Sequence, residues 1–98
     1  MANTQTKENT RTRATLKYPD RYHVMLHNDD FTPMDFVIQL LVEVFDKSVE
    51  EAKAVMLAVH EEGKAAAGTY FYEVAEQKAA EASTASKLHG HPLKISLE

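Results

Sequence analysis

From Arg21 the chain alternates, with Tyr22, Val24 and Leu26 on one side and His23, Met25 and His27 on the other, the period of a half-buried strand ending near His27. The polar turn Asn28-Asp29-Asp30-Phe31 follows, and Thr32-Pro33-Met34-Asp35 then opens a helix. Thr32 suits the N-cap, Pro33 suits the first helical position because its missing N–H would be unpaired there anyway, and Asp35 stands where a capping-box acid belongs. Phe36, Val37, Leu40, Leu41, Val44 and Phe45 recur at helical spacing and give this helix a broad core face. Ser48 with Glu51 makes a second capping box, Ala52, Val55, Met56 and Val59 form one stripe, and Gly63 stops it, so a second helix is expected over 49–62. Gly68-Thr69-Tyr70-Phe71 reads as a short aromatic strand after a loop of small residues, Lys64 to Ala67. Residues 72–88 are rich in Ala, Glu and Lys, with Val74, Ala75, Ala79 and Ala82 along one side, and predict a third helix that ends by Gly90. Leu93, Ile95 and Leu97 alternate with Lys94 and Ser96 in a terminal strand.

The order β-α-α-β-α-β, with one strongly apolar side per element, is solved most simply by an α+β fold: a three-stranded antiparallel sheet with three helices on one face. Residues 1–19 are polar and aperiodic and end at Pro19; they are expected to form a flexible N-terminal tail ahead of one domain over 20–98. At 98 residues and 44% apolar, the chain suffices for one core and is too short for two.

Composition narrows the functions further. No run approaches the roughly 20 apolar residues of a membrane span, and the first residues lack the apolar stretch of a signal peptide, so a cytoplasmic protein with no membrane partner is expected. Without cysteine there is no disulfide framework and no thiolate metal site. The net charge is −4 and the basic residues are scattered, which argues against nucleic acid and leaves room for a cationic ligand.

Asn28-Asp29-Asp30 is the most unusual local feature. One reading is a solvated turn, since Asn and Asp are favoured there. The other is a cluster of acceptors, with negative charge, for an ammonium group carrying three N–H donors; a free α-amino group, of pKa about 7.7–8.0, is such a donor at neutral pH. His60 follows Met56 and Val59 on the second helix. It serves either as a structural histidine or, as a neutral imidazole, as one more acceptor. Met34, Val37 and Leu93 serve as ordinary core, or else Met34, beside the acidic turn, forms a pocket wall with Met56, Val59 and Leu93. His89-x-His91 brings two imidazoles together, but no third ligand is fixed by spacing, so no metal and no cofactor are expected. Acid/base catalysis by adjacent turn carboxylates lacks any accompanying nucleophile or oxyanion-hole motif, and an enzyme is not expected.

Tyr22 to Glu98 resembles the ClpS family of bacterial N-end-rule adaptors, through NDDFTPMDFV (28–37), AVMLAVHEEGKA (54–65), YEVAEQKA (72–79) and GHPLKISLE (90–98), which occur in order. The resemblance implies an adaptor that cuts nothing itself, selects proteins beginning with Leu, Phe, Tyr or Trp, and delivers them to a ClpA-type AAA+ unfoldase for degradation by ClpP. It further implies that Asn28, Asp30 and His60 surround the substrate's α-amino group, with Asp29 adding charge beside it. Thr32 would contact the substrate backbone, and Met34, Val37, Met56, Val59 and Leu93 would enclose the first side chain. Glu73 and Lys78 match positions that dock on the unfoldase's N-terminal domain. The adaptor is expected to act as a monomer. The sequence departs from the family pattern at Phe71, where a helix-capping Thr is common, at Ala65-Ala66-Ala67, and at Gln77, Ala79 and Ala82, a combination that fits a specialised second paralogue. The alternative is an interaction module of the same fold that modulates the unfoldase without reading N-termini.

Overall fold

A computed structural model describes residues 20–98; the expected tail, 1–19, lies outside the described residues. The elements run β1 (Tyr22–His27), α1 (Met34–Glu43), α2 (Val49–Glu62), β2 (Lys64–Tyr70), α3 (Tyr72–Leu88) and β3 (Lys94–Leu97). The three strands form one antiparallel sheet in the order β2-β1-β3. Both the element order and the α+β class match the pattern in the sequence.

The alternation in β1 sets the layers. Val24 and Leu26 are fully buried and face the helices, together with Ala67 of β2. Phe36, Val37, Leu40 and Leu41 of α1, Phe45 beyond it, Ala52 and Val59 of α2, and Ala75 and Ala82 of α3 complete the core with Leu93. His23, Met25 and His27 point to the opposite face, which is laced by polar contacts. His23 Nδ1 meets the Thr69 hydroxyl at 2.8 Å, and Lys64 Nζ reaches the Glu98 carboxylate at 2.8 Å.

Several local expectations are corrected. Lys64 to Ala67 is strand rather than loop: Lys64, Ala65 and Ala66 pair with His27, Leu26 and Met25. Gly63 ends α2 at φ 92° and turns the chain straight into β2, so no linker is needed. Alanine is a poor strand former in isolation, but pairing with a central strand overrides that preference. Phe71 lies outside the strand, in an extended conformation ahead of α3, and offers no side-chain cap. Arg21 stacks on its ring at 4.5 Å.

Thr32 does not cap α1 either. Pro33 occupies the cap position with no side-chain hydrogen bond, because the Thr32 hydroxyl is drawn to Asp29. On α3, Val74 is 42% exposed, and the buried stripe continues instead to Ser86, whose hydroxyl donates to the Ala82 carbonyl at 2.9 Å. Ser48 and Glu51 do form the reciprocal capping box expected for α2.

Candidate functional site

The end of β1, the turn after it, the start of α1, the last turns of α2 and the approach to β3 meet at one corner. Their side chains border a cleft of about 290 Å³, its open mouth included, lined by His27, Asn28, Asp29, Thr32, Met34, Val37, Met56, Val59, His60 and Leu93. Val37, Val59 and Leu93 form its buried floor and Met34 its exposed lip. Met56, Val59 and His60 reach it together because residues three and four apart share a helix face. The Asn28 backbone N–H donates to the Gly63 carbonyl at 2.8 Å, which ties the acidic turn to the end of the helix that carries His60.

The turn is built around Asp29. Its Oδ1 accepts the Phe31 and Thr32 backbone N–H groups, each at 2.7 Å, and its Oδ2 accepts the Thr32 hydroxyl at 2.8 Å. Partial burial pushes the carboxyl up, but the donors of Thr32 and Phe31, with His91 nearby, outweigh that and hold it below the ordinary carboxylate value. Asp29 is therefore an anion whose lone pairs are largely committed to its own turn. Asp30 is exposed and does not line the cleft.

His27 was not singled out by the sequence, yet it borders the cleft, with Nε2 2.7 Å from the Ser96 hydroxyl. The available signal was its position next to Asn28 at the strand end. Glu73 and Lys78 lie on α3, away from the cleft. Glu73 is exposed in the first turn, whereas Lys78 is partly buried and donates from Nζ to the Val44 carbonyl at 2.7 Å, with Asp46 3.6 Å away. Among the described residues, no group of three or more His, Cys, Asp or Glu is arranged to hold a metal, and no helix is long and apolar enough to cross a membrane.

An apolar cleft edged by an acidic turn and an imidazole can take a ligand with an apolar body and a polar or cationic end. Residues 17–96 match the family described as "ATP-dependent Clp protease adaptor protein ClpS", and the chain belongs to that family. The ClpS adapter of Vibrio atlanticus is 51% identical over 86 residues, covering 88% of this chain and 81% of that one. The ClpS adapter of Maricaulis maris is 46% identical over 89 residues, covering 91% of this chain and 82% of its own. Among solved structures, Agrobacterium tumefaciens ClpS2 bound to L-phenylalaninamide superposes with a TM-score of 0.78 at 40% identity, covering 83% of this chain and 98% of that one.

Proposed function

We propose that this Clp protease adaptor binds the free α-amino group and large hydrophobic first residue, Leu, Phe, Tyr or Trp, of substrate proteins and delivers them to a ClpA-type unfoldase for degradation by ClpP. The observation that carries the reading is the convergence, in one cleft, of apolar walls with a polar rim of Asn28, Asp29, Thr32 and His60. The phenylalaninamide held by the Agrobacterium relative is a ligand of this chemistry, a free amino group on an aromatic residue.

In this reading the ammonium donates to the Asn28 side chain and His60 imidazole, with Asp30 and Asp29 supplying negative charge. Thr32 has spent its N–H and hydroxyl hydrogen on Asp29, and retains hydroxyl lone pairs to accept from a peptide N–H. Met34, Val37, Met56, Val59 and Leu93 take the first side chain, and Met34 at the lip crowds a β-branched Val or Ile. Two or three charge-assisted hydrogen bonds at about 1.5–3 kcal/mol each, plus a side chain at about 1.5–3, give a gross total of about 4.5–12 kcal/mol, centred near 8. That corresponds to about micromolar binding before ordering costs. Glu73 and Lys78 provide the contact with the unfoldase's N-terminal domain, and the adaptor itself cleaves nothing.

The direct test is binding of one peptide beginning with Phe, free and N-acetylated. The free form should bind about 100-fold or more tightly, since acetylation removes the charge and two donors. Equal affinities would sink the proposal.

A further inference from the structure

Phe31 sits in the turn beside the cleft with 78% of its surface exposed. Its backbone is nevertheless fixed, because Asp29 Oδ1 holds both its N–H and that of Thr32 at 2.7 Å. Those two bonds also occupy the N–H groups of Phe31 and Thr32, so neither can donate to a passing peptide, and the ring is the part of Phe31 left to meet an apolar side chain. Thr32 lines the cleft, whereas Phe31 does not, and the Cα atoms of adjacent residues are about 3.8 Å apart. Phe31 thus stands on a held backbone next to a lining residue, with its ring largely in solvent.

We infer that Phe31 is a specificity-determining residue for the second position of the bound peptide, where it favours an apolar side chain. The inference rests on the reading of the cleft as the seat of the first residue. A peptide whose amino group lies at Asn28 and His60 and whose backbone passes Thr32 has its second Cα about 3.8 Å beyond the first, at the rim. Successive side chains of an extended chain alternate in direction, so the second one leaves the cavity as the first enters it. The rigid turn presents the ring there at little ordering cost, the condition under which an exposed aromatic contributes to affinity.

The test uses the full chain, its Phe31→Ala and Phe31→Leu variants, and fluorescence anisotropy with peptides beginning Phe-Leu, Phe-Gly and N-acetyl-Phe-Leu on one common body. The parent should bind Phe-Leu about fivefold more tightly than Phe-Gly, from partial burial of two apolar side chains. Phe31→Ala should bring the two within about twofold while leaving Phe-Gly affinity and the melting curve unchanged, and Phe31→Leu should restore most of the preference. An identical Phe-Leu advantage in Phe31→Ala, or none in the parent, overturns the inference while leaving the cleft reading standing. So does a loss of Phe-Gly affinity equal to that of Phe-Leu, which would make Phe31 a prop for the turn. Equal binding of the acetylated peptide by the parent removes the cleft reading and this inference together.

Discussion

Replacing Asp29 separates two roles that its position in the acidic turn confounds: charge beside an ammonium, and scaffold for the turn itself. Three hydrogen bonds converge on its carboxylate, from the Phe31 N–H, the Thr32 N–H and the Thr32 hydroxyl. Asp29→Ala removes all three. The Phe31 N–H is in an exposed setting and rehydrates at little cost, whereas the Thr32 groups are partly buried, so the loss should be about 1–2 kcal/mol, similar to removal of a helix N-cap. For a domain of this size that lowers Tm by roughly 4–16 °C. Asp29→Asn keeps an Oδ1 that accepts both N–H groups and an amide that can donate to the Thr32 hydroxyl oxygen, so its Tm should stay within about 2 °C of the parent. Its peptide affinity should fall by about three- to tenfold, from loss of one charge near the ammonium in a partly screened site. Asp29→Ala should lose more affinity than that, because the turn must then be ordered on binding.

Thermal melts and peptide titrations of both variants decide the matter. Equal destabilisation by Asn and Ala would refute the scaffold role, since a neutral acceptor would then be no better than none. The pH dependence supplies a second check. Asp29 is depressed from an ordinary 3.8, so its contribution to stability is present above that unfolded value and is lost as pH falls through the lower folded one. The parent should therefore lose stability relative to Asp29→Asn only below about pH 4.

Four other outcomes follow from the same geometry. Leu41→Ala, at a fully buried site in the last turn of α1, should cost about 2–5 kcal/mol in denaturant unfolding with an unchanged m-value. Gly63→Ala should cost about 1 kcal/mol although a Cβ there meets nothing within 4 Å, because φ is 92° and the penalty is purely backbone. Ala82→Leu should destabilise by about 1–3 kcal/mol, since the residue is 0% exposed and α3 packs through small side chains. Peptide affinity should fall about tenfold per pH unit above about pH 8, as the ligand's amino group loses its proton; a flat profile to pH 10 argues against ammonium capture.

Most of the fold was legible because its periods do not conflict: β1 alternates, α1 and α2 repeat every three to four residues, and Ser48, Gly63 and Gly90 punctuate them. The misread segments share a cause, a partner distant in sequence or a competitor close by. Lys64 to Ala67 carry no strand signal of their own and become β2 only because β1 is beside them. Thr32 has the chemistry of a cap, but Asp29, three residues earlier, takes its hydroxyl first. On α3 the apolar count favoured Val74, yet packing selected the 75-82-86 stripe, where a serine is buried because its hydroxyl finds the Ala82 carbonyl in its own helix.

The site follows a different logic. Its residues are apolar, amide, carboxylate and imidazole groups drawn from segments as far apart as Asn28 and Leu93, and no period links them; side-chain chemistry left each open between two roles, and the family motifs joined them as a set. The β1–β2 ladder brings the halves together, and the main-chain bond just beyond it, from the Asn28 N–H to the Gly63 carbonyl, locks the turn to the end of α2. That bond uses no side chain of either residue. The turn can thus present its side chains to a ligand while its backbone serves the fold, and the division extends to Asp29 and Thr32, whose mutual hydrogen bonds stiffen the rim. Substitutions that leave the acidic composition intact but weaken these tethers should impair binding as ordering costs, seen as slower association or weaker affinity without any change in which first residue is preferred. Substitutions in the cleft walls, Met34 or Val59, should instead change the ranking among Leu, Phe, Tyr and Trp, because they reshape the volume that the side chain enters. A variant such as Asn28→Pro, which deletes the tethering N–H, is the sharpest case: uniform loss across first residues is expected, and a changed ranking would mean that the tether also shapes the cavity floor.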